Sequence, residues 1–220
     1  MQEKAFSLFL DTTSSNCLIG LLNNEYRWQS LVRSSGHISK QFHFLLQSLL
    51  SKFSLEIKDF SEIYAIVGPG SYTGIRLTET FLNVASLEHK NIFTFHSYRL
   101  PFLAPAIVKK NPFYFCYAFK SQYFVCWQKS PNLLEQEFLS LEELKARFLS
   151  QSQNEERQFF YEKLPENQIL NSLKNFQVFS VEKFLLENSS LLFPLIKHHQ
   201  LKDESFYFRP AEQEFSLKKE

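Results

Sequence analysis

Apolar and polar positions along the first hundred residues change period four times. Three β-type runs open the chain, "AFSLFL" from Ala5, "CLIGLL" from Cys17 and "YRWQSLV" from Tyr26. They are separated by "DTTSSN" and "NNE", connections of hairpin length. The period then becomes helical: in "SGHISKQFHFLLQSLLSKF", Ile38, Phe42, Leu45, Leu46, Leu49, Leu50 and Phe53 recur every three or four residues, after a capping Ser34 or Ser35. "EIYAIVG" predicts a fourth strand and Thr73 to about Glu88 a second helix. "NIFTF" predicts a fifth strand, with a break marked by Pro101 and Pro105.

Three antiparallel strands followed by helix, strand, helix and strand is the order of one ribonuclease-H-like lobe, the unit repeated in actin-like and sugar-kinase ATPases. The second half continues with "PFYFCYAF" and "YFVCWQ" as a hairpin around "KSQ". "SLEELKARFL" follows as a helix with a capping box at Ser140 and Glu143. "QFFYEKL", "FQVFS", "VEKFLLEN" and "SFYFRP" read as strand, strand, helix and final strand. The predicted fold is α/β: two ribonuclease-H-like, actin-like (ASKHA) lobes with mixed sheets and flanking helices, the second reduced. The first lobe is expected over residues 1–105 and the second over 106–220.

Composition narrows the classes of function. No apolar run approaches the ~18 residues of a membrane span, and the N-terminus has neither a basic head nor a long apolar stretch, so a cytoplasmic protein without membrane contact is expected. The formal charge of +1 is spread evenly, apart from a short basic end at Lys218 and Lys219. Such a chain has no field with which to grip a phosphate backbone by itself, and RNA would require another subunit. The 25 phenylalanines fall on predicted strands and helix faces and read as core. Cys17, Cys116 and Cys126 form no CxxC and read as reduced, buried thiols.

"IVGPGSYTGIRL" places Gly68, Gly70 and Gly74 between a strand and a helix, with Pro69 fixing φ and Ser71 and Thr73 suited to a helix start. Positive φ is expected at Gly68 and Gly70. A strand, tight turn and helix N-terminus in that order suits an anion, but it also suits a rigid corner. Asp11 with Thr12, Thr13 and Ser14 could orient a Mg²⁺ or its water, or stabilise the hairpin by side-chain to backbone bonds. All five glycines lie at or before Gly74, so the second half has no glycine for an opposing phosphate loop.

The residues "LDTTSSNCLIGLL", "VGPGSYTGIRL" and "FYFRP" together resemble the bacterial tRNA threonylcarbamoyladenosine biosynthesis family TsaB, also called YeaZ-like. The block "GPGSYTGIR" carries most of that resemblance, which covers residues 1 to about 100 and then rests on Phe206 to Pro210. The family usually has Asp-Ala-Arg in the second-lobe hairpin, where this chain has Tyr117, Ala118 and Phe119. The resemblance implies a non-catalytic subunit, a paralogue of the TsaD-like subunit that transfers threonylcarbamoyl to adenosine beside the tRNA anticodon. It implies pairing with TsaD or with a second copy through the two first-lobe helices, a TsaE-like ATPase joining the assembly, and tRNA met only through the complex. No cofactor is expected on this chain alone, ATP and Mg²⁺ being used by the assembled complex. Asp11 to Ser14 and Gly68, Pro69, Gly70, Ser71, Thr73 and Gly74 are then vestigial nucleotide or phosphate loops.

The residues are compatible with that division of labour. His37, His43, His89, His96, His198 and His199 contain no pair four apart, as a helix-borne metal site requires. Pro69 to Thr73 is not Gly-x-Ser-x-Gly, and no lysine follows as in a Walker loop. The first helix, with Phe44 added, carries more apolar surface than the ~100° stripe a surface helix needs. In the second, Ile75, Leu77, Phe81, Leu82, Val84, Ala85 and Leu87 occupy several faces, interrupted by Thr78, Thr80, Asn83 and Ser86. The expected partner interface is Ile38, Gln41, Phe42, Leu45, Leu46 and Leu49 with Thr78, Phe81, Leu82 and Ala85. An autonomous actin-like ATPase or small-molecule kinase, and an M22-type glycoprotease, are the alternatives.

Overall fold

The computed structural model describes residues 6–14, 16–35, 38–108, 111–130, 133–152, 157–162 and 177–208. Strands β1 (Phe6–Asp11), β2 (Asn16–Leu22) and β3 (Trp28–Ser35) form an antiparallel meander. Helix α1 (Ile38–Phe53) crosses to β4 (Phe60–Ile66), which pairs parallel with β1; α2 (Tyr72–Ala85) crosses to β5 (Ile92–Phe95), parallel with β4. The resulting sheet order is β3-β2-β1-β4-β5. After the short α3 (Leu100–Leu103) the plan recurs. Strands β6 (Asn111–Tyr117), β7 (Gln122–Ser130) and β8 (Leu133–Ser140) make a second meander, α4 (Leu141–Ser152) follows, and β9 (Arg157–Glu162) and β10 (Gln177–Ser180) add in parallel. The order β10-β9-β6-β7-β8 matches the first sheet strand for strand, so the α/β, two-lobed actin-like architecture expected from the sequence is the one observed.

Period-2 alternation explains the layers. Leu8 and Leu10 of β1, Ile19 and Leu21 of β2, and Ile63 and Ala65 of β4 face α1 and α2. Phe9, Leu18, Leu22, Tyr64 and Phe93 face the other way, into a core shared with Tyr114, Phe124 and Phe160 of the second sheet. Phe113, Phe115, Val125 and Phe159 on that sheet's outer side are covered by Leu144 and Phe148 of α4. Two helices follow, α5 (Val181–Glu187) and α6 (Ser189–His198). From α6, Phe193 inserts among Phe9, Trp28 and Tyr64, with ring centroids 4.8–5.7 Å apart. Trp28 Nε1 donates to the Leu186 carbonyl at 3.1 Å. The two sheets are thus joined through one continuous apolar layer.

Several expectations are corrected. Ser34 and Ser35 lie in β3, so neither caps α1, and α2 ends at Ala85 instead of Glu88. Strand β8 was not foreseen: "LLEQEFLS" lacks clean alternation, being an edge strand held by β7 on one side. Helix α6 was not foreseen either, since Pro194 lies inside it and reads as a breaker. "SFYFRP" does not form a final strand. Its described part, Ser205–Phe208, makes a single isolated bridge, Gly70 with Tyr207, and Lys202 just before it makes another with Thr94, because the segment crosses from the edge of β5 over the end of β4. Arg209 and Pro210 lie outside the described residues, as do Ala5, Gly36, His37, the end of "QFFYEKL", and Lys218 and Lys219. The capping box is present: the Ser140 N–H donates to Glu143 Oε2 at 2.7 Å and the Glu143 N–H to Ser140 Oγ at 3.2 Å.

Candidate functional site

The first-lobe turns meet at the N-terminus of α2. Ser71 is its N-cap, and its Oγ accepts from the Gly74 N–H. The Ser71 N–H, which in an anion-binding turn would face the ligand, donates instead to the Thr13 carbonyl at 2.8 Å. Thr12 is fully buried; its Oγ1 donates to the Gly74 carbonyl at 2.6 Å and lies 2.6 Å from Thr78 Oγ1. A Cβ on Gly74 would stand 1.8 Å from the Thr12 carbonyl oxygen, so glycine there permits contact between the two loops and not the approach of a phosphate. Asp11 Oδ1 accepts from the Thr13 N–H (2.9 Å) and hydroxyl (2.7 Å), a turn-stabilising pattern. Burial, helped by the Asp11 charge, pushes the neighbouring Cys17 thiol up to about 12, leaving it protonated and inert.

Gly68 carries the positive φ, at 133°, and Gly70 does not, which corrects the expectation of two such positions. The cause is the crossing segment: a Cβ on Gly68 would lie 2.5 Å from the Phe206 carbonyl oxygen, and the Phe206 N–H donates to the Val67 carbonyl. Gly70 pairs with Tyr207. Thr73 is exposed, and Ser14 lines the space between the lobes.

That space is small and negatively lined. It encloses about 110 Å³ between Asp11, Ser14, Tyr161, Glu162, Ser180 and Glu182, well under the roughly 300–1,000 Å³ of ordinary ligand sites. Glu162 reaches across the lobes to accept from the hydroxyls of Ser97 (2.6 Å) and Tyr114 (2.7 Å). Glu182 pairs with Arg33 at 2.5 Å. The turn of the second lobe topologically equivalent to the Asp11–Ser14 hairpin is Ala118–Ser121, with Lys120 and Ser121 at positive φ. Its Phe119 packs on Phe138. No glycine stands there. Among the described residues no group of three His, Cys, Asp or Glu side chains is arranged to hold a metal ion.

His96 is hydrogen-bonded at both ring nitrogens. Its Nε2 donates to the Glu204 carbonyl at 2.8 Å, which leaves Nδ1 to accept from the Tyr98 hydroxyl at 2.9 Å, and Tyr98 in turn accepts from Gln136 Nε2. Burial, and then the positive charge of Arg99, hold its pKa below the usual value against the opposing pull of Asp203.

The two helices present a different surface from the one expected. Ile38, Phe42, Leu46 and Leu49 of α1, and Thr78, Leu82 and Ala85 of α2, which the sequence pattern assigns to a partner, are instead buried on the chain's own sheet. Leu45 and Phe81 are half-buried, Phe81 packing edge-on against Phe42 at 5.9 Å, and Gln41 is exposed. Of the apolar positions on the two helices, Val84 on α2, Leu87 just beyond its end and Phe44 on α1 are exposed, while Leu77 and Phe81, seven and three residues before Val84 on the same outer stripe, are half-buried against the sheet core. Val84, Leu87 and Phe44 are 64%, 84% and 69% exposed. Their signal in the sequence was this second stripe, rotated from the Ile75, Thr78, Leu82, Ala85 stripe that meets the sheet.

No protein-family model matches the chain, and no curated protein does. Among solved structures it is similar to a Pseudomonas aeruginosa protein described by its similarity to peptidase YeaZ, at 13% identity and a TM-score of 0.55, covering 92% of this chain and 100% of that one. It is similar also to YeaZ from Pseudomonas aeruginosa, at 12% identity and a TM-score of 0.54, covering 91% and 99%. The likeness runs the length of both chains, and at this identity it establishes the fold: this protein is built on the same two-lobed plan as those structures.

Proposed function

We propose that this chain is a TsaB-type, non-catalytic pairing subunit, acting in the cytoplasm with a TsaD-like catalytic subunit and a TsaE-like ATPase in threonylcarbamoyladenosine formation on tRNA. The observation that carries the reading is the closure of the anion turn, whose Ser71 N–H is taken by the Thr13 carbonyl. A clamp that has filled its own phosphate position and faces its cleft with Asp11, Glu162 and Glu182 is poorly suited to a triphosphate. The glycoprotease alternative fares no better: Ser71 Oγ is turned back onto its own helix and both nitrogens of His96 are engaged.

Pairing is assigned to the outer stripe Leu77, Phe81 and Val84, extended by Leu87 and Phe44. An apolar stripe of this kind on a helix already seated on its sheet suits a matching helix pair, from the paralogue or from a second copy. Light scattering of the chain mixed with the TsaD-like subunit tests it: a mass equal to the sum is expected, and two unchanged separate masses would refute the pairing. Purified alone, the chain is expected to show no ATP turnover; sustained hydrolysis would return it to the ATPase class.

A further inference from the structure

Phe206, Tyr207 and Phe208, the described residues of "FYFRP", alternate between two bodies. Phe206 and Phe208 turn to the second sheet: their ring centroids lie 5.2 Å and 6.0 Å from that of Phe124 on β7, and Phe208 lies 6.0 Å from Phe138 on β8. Tyr207 turns to α2. It is bridged to Gly70, and on either side of a bridged residue successive side chains fall on opposite faces, as in a strand.

We infer that Tyr207 is a positioning residue for the pairing face, joining α2 to the second lobe through its two phenylalanine neighbours. The inference rests on the pairing reading above.

The contacts of Tyr207 occupy one flank of α2. Its hydroxyl donates to Glu79 Oε2 at 2.7 Å, its ring stands 5.2 Å from that of Tyr72, and the Arg76 guanidinium lies over both rings, 5.8 Å and 5.6 Å from their centres. Tyr72, Arg76 and Glu79 are spaced i, i+4 and i+7. That flank, the outer stripe and the stripe on the sheet are each roughly a third of a turn apart round the helix. The sheet and Tyr207 thus hold two faces of α2 and leave the third to a partner. Burial pushes the Glu79 carboxyl up, but hydrogen bonds from Ser205 and Tyr207 and the charge of Arg76 outweigh it and hold the group below its usual value. The backbone of the segment is fixed in its turn to the first sheet, the Asp203 N–H donating to the Thr94 carbonyl and the Phe206 N–H to the Val67 carbonyl, both at 2.9 Å.

The test uses the isolated full chain first. Tyr207→Phe keeps the ring and removes the hydroxyl, so the Glu79 carboxyl, titrated by carbon NMR, should move up toward its ordinary range. Phe208→Ala changes a ring on the second sheet, yet it should speed hydrogen exchange of the α2 amides from Glu79 to Ala85 at least about threefold while those of β6 keep their wild-type rates. Phe179→Ala, a matched truncation on β10 of the same sheet, should leave the α2 rates within about twofold. Association with the TsaD-like subunit should then weaken at least about threefold in Tyr207→Phe and in Phe208→Ala, with the melting of Tyr207→Phe close to wild type. Unchanged α2 exchange in Phe208→Ala, an unmoved Glu79 titration, an equal effect of Phe179→Ala, or undiminished association in the variants would overturn the inference. A wild-type chain that never pairs but shows both signatures would refute the pairing reading and leave the tie between α2 and the second lobe standing.

Discussion

The carbonyl oxygen of Phe206 stands 2.5 Å from where a Cβ on Gly68 would be, so the glycine turn of the first lobe is shaped around the chain's own returning segment. Gly68 meets that demand at φ 133°, a region closed to residues with a side chain. Gly68→Ala therefore carries both backbone strain and a collision with main chain. A loss of about 1–3 kcal/mol or more is expected in chemical denaturation, larger than for Gly70→Ala; equal effects at the two sites would contradict the assignment.

Gly74 answers to a different neighbour. Adding a methyl 1.8 Å from the Thr12 carbonyl must push α2 away from the Asp11–Ser14 hairpin. Gly74→Ala should destabilise by about 1–3 kcal/mol, the usual scale of overpacking. It should also expose the Thr12 and Thr13 amides to faster hydrogen exchange. Wild-type exchange at those amides would show that the loops do not depend on each other.

The outer stripe of α2 gives a cleaner mutational test than the buried one. Val84→Glu is expected to leave the melting transition within about 0.5 kcal/mol, as for exposed positions generally, and to abolish association with the catalytic subunit. Leu82→Glu should instead unfold the lobe, since it buries a charge on the sheet. Retained pull-down with Val84→Glu would remove the stripe from the interface.

One ion pair, between buried Glu62 and exposed Lys197, makes stability depend on pH in a definite direction. Burial pushes the Glu62 carboxyl up, but hydrogen bonds from Lys197 and Tyr64 and the Lys197 charge outweigh it and hold the group below its usual value. A carboxyl held down in the folded state contributes fully above its unfolded pKa, near 4.5, and loses that contribution as pH falls through the lower folded value. Lys197 is held above its usual value by Glu62, so the contribution is also lost as pH rises past the ordinary lysine range. Glu62→Gln should cost about 1–3 kcal/mol at neutral pH and flatten the acid limb of stability against pH. An unchanged acid limb would mean the pair contributes nothing.

Nucleotide should not stabilise the isolated chain. Binding to the native state raises stability by RT ln(1 + [L]/Kd), so millimolar ATP with Mg²⁺ on a micromolar site would add about 4 kcal/mol. A melting temperature shifted by less than about 1 °C is expected. A large upward shift would show that the 110 Å³ cleft opens to admit a ligand.

The first lobe was legible because its information is local. Alternation in "AFSLFL" and "CLIGLL", the helical period from Ile38 to Phe53, and the start signal at Ser71 each depend on residues within a few positions, and β1, β2, α1 and α2 follow them. Strand β8 and helix α6 were hidden for the opposite reason. "LLEQEFLS" is a strand because β7 supplies its hydrogen bonds, and "SSLLFPLIKH" is a helix despite Pro194 because Phe193 and Ile196 are taken into the core between the sheets.

The same boundary runs through the site. Residue types and spacing alone determined that a turn of glycines must stand between β4 and α2, that no glycine is available in the second lobe, and that the two helices carry more apolar surface than one sheet can cover. Tertiary structure decided what fills the turn and which apolar residues stay outside. The Thr13 carbonyl lies 58 positions from the Ser71 amide it blocks, and Phe206 lies 138 from Gly68, separations at which a linear pattern carries no distance. Whether Leu82 or Val84 faces solvent turns on a rotation of α2 about its axis, and that rotation is set by packing against the sheet and the Thr12 hairpin.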